Sequence, residues 1–153
     1  MKKLDEKIIV QLLKNADHPI VDIAEKVGAS RQTVSKKIEK FKESGLIERI
    51  VADVNYEKFG LDVRAYVFLQ EEPHDKVREE NEMKINKYGR VSRFVRLFGR
   101  YSGILEVWGE NEEDLTDFVK EIHELEGIKE TETFIVHSTV KDDPNDPILD
   151  VLQ

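Results

Sequence analysis

Two amphipathic stretches meet at Gly28, and that break constrains this chain more than any other feature. Before it, Ile20, Ile23, Ala24 and Val27 recur at helical spacing, so one stripe of a short helix faces a core. Gly28 can take a positive φ without a Cβ clash, which a sharp turn between helices needs. Ser30 follows as an N-cap for a second helix. There Val34, Ile38 and Phe41 repeat at i, i+4, i+7, and Gly45 suits the stop. A further helix over 4–16 places Leu4, Ile8, Ile9, Leu12 and Leu13 on one face and opens with the acidic pair Asp5-Glu6.

The second helix of the pair is left with Ser30, Arg31, Gln32, Thr33, Ser35, Lys36, Lys37 and Lys40 off its apolar stripe. A plain helical hairpin with a solvated basic side would have the same periodicity. Hydroxyl, guanidinium and amide groups at the helix N-terminus, with a third helix to brace the pair, favour a helix-turn-helix whose second helix enters the DNA major groove. Those eight residues are the expected contacts to double-stranded DNA.

The formal net charge of −8 looks wrong for a DNA-binding chain. The charge is partitioned, however: residues 1–50 hold 11 Lys/Arg against 8 Asp/Glu, and residues 51–153 hold 13 against 24. Phosphate responds to the field within about a Debye length, roughly 8 Å at physiological salt. A basic head on an acidic body is therefore compatible with DNA. The chain has no cysteine, which excludes disulfides and thiolate metal sites. With neither an apolar run of membrane-spanning length nor a signal-peptide pattern at the start, a cytoplasmic location is expected.

After Gly45 the pattern turns extended. Residues 46–54 read as β structure, a wing on the helices, and close the expected DNA-binding domain at 1–54. Asn55, Tyr56, Glu57, Lys58, Phe59 and Gly60 read as a short helical hinge. Over 61–141 strands and helices alternate: a strand at 61–70, a charged helix from Pro73 to about Tyr88, and strands at 91–98 and 102–109. A helix opened by Asn111 and closed by Gly127 follows, then a long strand at 128–140. The order β-α-β-β-α-β predicts a ferredoxin-like α/β sandwich, so the whole chain is α+β: an N-terminal winged helix-turn-helix plus a C-terminal βαββαβ domain. Tyr66, Phe68, Phe94 and Phe98 are expected on the sheet face the helices leave open, where they favour a homodimer. Residues 142–153 read as a solvated, proline-broken tail.

This combination resembles the Lrp/AsnC family of feast/famine transcriptional regulators over nearly the whole chain. The landmarks are Leu4-Asp5-x-x-Ile8, the stretch from Ala29 to Ile38, Gly45-Leu46-Ile47, the hairpin Gly99-Arg100-Tyr101-Ser102, and Glu132-Thr133. The resemblance implies a sequence-specific DNA-binding regulator that pairs into dimers and octamers and answers to a small effector, commonly an amino acid. By resemblance the effector residues are Gly99, Tyr101, Ser102 and Thr133. The family hairpin usually carries aspartate where this chain has Ser102. A carboxylate is the natural partner of an α-ammonium group, so weak response to simple neutral amino acids is expected, with Ser102→Asp strengthening it.

No nucleophile motif, phosphate loop or clustered metal ligands accompany the isolated His18, His74, His123 and His137, so no enzyme activity, metal or cofactor is expected. The nearest alternative is a sirohaem decarboxylase of similar architecture, which would need Arg93, Arg96 and His137 to converge. Another is a ligand-binding oligomer without DNA affinity. Arg90, Arg93, Arg96 and Arg100 read as a series of ion pairs between protomers.

Overall fold

A computed structural model describes residues 2–152. The chain divides into two compact units: residues up to Asp53 together with those from Lys141 onward, and Val54–Val140. Among the described residues no helix is long and apolar enough to cross a membrane.

The first unit contains α1 (Lys3–Lys14), α2 (Ile20–Val27) and α3 (Arg31–Glu43). Its core is Ile8, Ile9, Ile23, Ala24, Val27, Val34 and Phe41, the stripes expected from the periodicity, with Ile38 and Leu13 packed at its edge. Ile20, at the first position of α2, is instead 39% exposed. Gly28 ends α2 at φ 70°, where its N–H meets the carbonyls of Ala24 and Glu25. That left-handed backbone turns the chain into α3 within three residues.

Two expectations for this unit fail. Residues 46–54 form no strand, and Ile50, Val51 and Val54 are exposed. A strand needs a neighbour to bond to, and among the described residues none pairs with this segment. The residues expected as a solvated tail instead contain α6 (Asp146–Leu152), whose Leu152 packs on the first unit's core.

The second unit begins with a 3₁₀ turn, Tyr56–Phe59, closed by Gly60. Then come β1 (Val63–Glu71), α4 (Asp75–Ile85), β2 (Val91–Arg96), β3 (Gly103–Gly109), α5 (Glu112–His123) and β4 (Ile128–Ile135). The sheet order is β2-β3-β1-β4 and every pairing is antiparallel, which is the ferredoxin-like arrangement. Strict alternation along β1 sends Ala65, Val67 and Leu69 into a core with Leu105, Val107, Ile85, Leu115, Phe118 and Ile122. The last strand stops at Ile135, short of the expected residue 140.

Tyr66 and Phe68 lie on the open face as expected, but Phe94 does not. A register shift between Val91 and Arg93 puts Phe94 opposite Leu105, on the helix-covered side, where it packs against the core. Phe98 falls beyond β2 and stands wholly in solvent. The open face instead gains Phe134, 51% exposed and edge-on to Phe68 at 5.7 Å.

Candidate nucleic-acid interface and ligand-binding unit

In the first unit the eight expected DNA contacts divide by what already holds them. Ser30 caps α3, its Oγ accepting the Thr33 N–H at 3.1 Å and lying 2.8 Å from the Thr33 hydroxyl. Both hydroxyls are committed to helix initiation. Lys37 forms an ion pair with Asp5 of α1, and that hydrogen bond holds the Asp5 carboxyl below the usual carboxylate range. Its charge is thus spent largely inside the unit. Arg31, Gln32, Lys36 and Lys40 remain exposed, and Ser35 is half-buried. Gln32, Lys36 and Lys40 stand at i, i+4 and i+8, one face of α3. This places a flexible amide donor and two cations along a line, with the Arg31 guanidinium at its head.

The four expected effector residues do not all meet within the chain. Tyr101 turns to the open face, where its ring lies 5.1 Å from that of Phe68 and its hydroxyl donates to Glu132. Thr133 stands opposite Val67, hence on the other side of the sheet. Gly99 takes φ 146° at the hairpin tip. Ser102 sits at the hairpin root, where its N–H donates to the Leu69 carbonyl at 2.8 Å and its hydroxyl to Glu71 Oε2 at 2.8 Å.

Glu71 is the residue that sequence reasoning missed. It is the last residue of β1, 6% exposed, and its Oε1 is buried without a hydrogen-bond partner among the described residues. Arg96 Nη1 pairs with it, while Arg96 Nε binds Glu82 at 2.7 Å. A carboxylate therefore does stand behind the hairpin, contributed by β1 rather than by position 102. The available signal was alternation: Glu71 continues the inward series Ala65, Val67, Leu69. An acid at a core-facing position needs donors nearby, and these come from residues 25 and 31 positions downstream. Clefts of about 340 Å³ (lined by Tyr88, Arg90, Asp114 and Phe118) and 370 Å³ (His74, Val77, Glu80 and Gly127) lie away from the hairpin.

Three of the four arginines expected to bridge protomers are paired within the chain instead. Arg90 binds Asp114 at 2.5 Å, Arg96 joins Glu71 and Glu82, and Arg100 lies 3.7 Å from Glu130. The helices packed on the sheet supply Glu82 from α4 and Asp114 from α5, while β1 and β4 supply Glu71 and Glu130, partners that spacing alone does not reveal. Arg93 faces Glu106 on the open side, whereas Arg96 faces Gly103 on the covered side, so the two do not converge as tetrapyrrole chemistry would require. Among the described residues no group of three His, Cys, Asp or Glu side chains is arranged to hold a metal ion.

Comparison with known proteins agrees with both units. Residues 1–48 match a winged helix-turn-helix DNA-binding model, and residues 64–146 match the Lrp/AsnC ligand binding domain, so most of α6 lies outside both. An uncharacterised HTH-type transcriptional regulator of Pyrococcus abyssi is 32% identical over 94% of this chain and 96% of its own. HTH-type transcriptional regulator FL11 of Pyrococcus furiosus is 27% identical over 95% of each. Among solved structures, a Neisseria meningitidis transcriptional regulator in complex with L-Met superposes with a TM-score of 0.89 at 18% identity, covering 97% of this chain and 99% of that one. Escherichia coli AsnC does so with a TM-score of 0.83 at 24% identity, over 93% and 95%. The ferredoxin-like unit, the helix-turn-helix and these matches converge: the chain belongs to the Lrp/AsnC family of HTH-type transcriptional regulators.

Proposed function

We propose that this regulator is a non-catalytic, cytoplasmic homodimer that reads a pseudo-palindromic operator with α3. Arg31 and Gln32 take the base edges, Ser35 joins them at the groove, and Lys36 and Lys40 take the phosphates. The observation that carries this reading is the exposed face of Gln32, Lys36 and Lys40 beside Arg31, on a helix whose N-terminus Ser30 caps. Ser30 and Thr33 serve by fixing that end, and Lys37 by tying α3 to α1. Dimerisation uses the open sheet face, where Tyr66, Phe68 and Phe134 offer apolar surface. Higher assemblies built from such dimers follow from the family resemblance.

A small metabolite bearing an ammonium group is the proposed effector. The Neisseria relative was solved with L-Met. In this chain Gly99, Tyr101 and Ser102 supply the hairpin, and Glu71 supplies the carboxylate behind it. Thr133, on the other side of the sheet from Tyr101, joins only in a pocket completed by a second copy. The effector acts through differential affinity for the DNA-bound and unbound states.

Selection of bound fragments from the source genome tests the reading. Enrichment of sites with half-sites about one helical turn apart, and affinity falling steeply with salt, is the expected result. No preference over bulk DNA at moderate salt would overturn it.

A further inference from the structure

We propose that residues 141–152 are a positioning element of the DNA-binding unit: α6 seats α1, and α1 in turn holds α3 in its reading attitude. This inference rests on the DNA-binding reading above and adds a part to it.

Two contacts place α6 on α1. Asn145, Leu149 and Leu152 are half-buried at i, i+4 and i+7, so the helix has one inward stripe. Leu152 packs on the cluster that contains Ile8 and Ile9 of α1, Ile23 of α2, and Val34 and Phe41 of α3. Asn145 Nδ2 donates to the Leu13 carbonyl at 3.1 Å, satisfying one of the carbonyls that a helix C-terminus leaves without a partner. The start of α6 is itself fixed. Lys141 Nζ lies 2.5 Å from Asp146, the Asp146 N–H reaches the Asp143 carbonyl at 3.4 Å, and Pro147 sits in the first turn, where a missing N–H is harmless.

A helix of seven residues is not stable by itself in water, so α6 owes its form to this seat. The seat in turn orders the end of α1. From α1 the connection to α3 is direct: Asp5 holds Lys37, and Val34 and Phe41 share the buried cluster. Base contacts require several donors in register at once, whereas phosphate contacts tolerate small displacements. Loosening α6 therefore weakens specific binding more than non-specific binding.

The test uses the full chain. Leu152→Asp puts a charge against the cluster, Leu152→Met conserves the packing, and Asn145→Ala removes only the hydrogen bond to Leu13. Affinity is measured for a fragment selected from the genome and for bulk DNA at one salt concentration, and hydrogen exchange is followed residue by residue. Leu152→Asp is expected to lower the specific affinity about tenfold while bulk binding changes less than twofold. Exchange should quicken in α1 and α3 but not in β1 and β3, and Leu152→Met should restore both readouts. Should Leu152→Asp unfold the first unit, Asn145→Ala decides, with a smaller change in the same direction. An unchanged specific-to-bulk ratio with unchanged α1 exchange overturns the proposal. If the unmodified chain prefers no fragment, the DNA-binding reading fails, and the exchange arm alone judges whether α6 seats α1.

Discussion

Replacing Ser102 by aspartate puts the hairpin root to its most demanding test. The serine hydroxyl donates to Glu71 Oε2 at 2.8 Å and lies 3.1 Å from the Leu69 carbonyl oxygen. The Glu71 side chain is 1% exposed, and its cationic partner among the described residues, Arg96, is shared with Glu82. The substitution removes a donor to a buried carboxylate, worth about 1.5–3 kcal/mol. It also sets a second carboxylate beside the first, which at about 4 Å and an effective dielectric of 20 repel by roughly 4 kcal/mol before relaxation. Swinging toward solvent and sharing Arg96 offset part of this, so a net loss of about 3 kcal/mol at pH 7 is expected. Urea unfolding of the two proteins at pH 7 measures the loss. A variant as stable as the parent at pH 7 would refute the reasoning. On the effector reading proposed above, the substitution should also fail to strengthen the response to amino acids, because Glu71 already places a carboxylate behind the hairpin.

Other substitutions separate the roles assigned to neighbouring residues. Lys36→Ala or Lys40→Ala should weaken binding to all DNA sequences and reduce the salt slope by about one, whereas Lys37→Ala should lower the melting temperature with little change in that slope. Arg31→Ala should cost about 1–3 kcal/mol of discrimination between operator and bulk DNA, read by competition binding. The Asp5 and Asp114 carboxyls are held below the usual range by their hydrogen bonds to Lys37 and Arg90. A folded value below the unfolded one gives stability that is fully present above the unfolded pKa and is lost as pH falls through the lowered folded value. Asp5→Asn and Asp114→Asn should therefore lower stability at pH 7, by an amount that shrinks as the medium is made strongly acidic, as acid melts will check. Phe134→Glu should shift the chain toward monomer in light scattering while leaving the first unit's helices intact by circular dichroism.

The sequence revealed most where a periodicity is local. Ile8, Ile23, Val34 and Phe41 read directly as core because helical spacing repeats within a few residues, and Gly28 and Ser30 marked the turn between α2 and α3. It revealed less where a residue's surroundings come from distant chain. Phe94 changed face because a bulge shifts the register of β2, and a shift of one residue inverts every side chain beyond it. Lys37 reads as a DNA contact from its place on α3, but its ion pair with Asp5, 32 positions earlier, cannot be read from local spacing. Glu71 could be read as inward-facing, but not as the partner of Ser102 and Arg96. The segment expected as a wing had the composition of a strand and lacked only a neighbour, which composition does not encode.

The discontinuity of the first unit also bears on the order of synthesis. α6 lies after the whole of the second unit in the chain, although it packs with α1. A ribosome releases α1, α2 and α3 early and makes α6 only after all four strands have emerged. Until then the three helices wait with one side of their cluster uncovered. A nascent or prematurely ended chain therefore carries a head that is assembled but not yet braced, and full discrimination between operators is reached only by molecules whose ligand-binding unit has already been made.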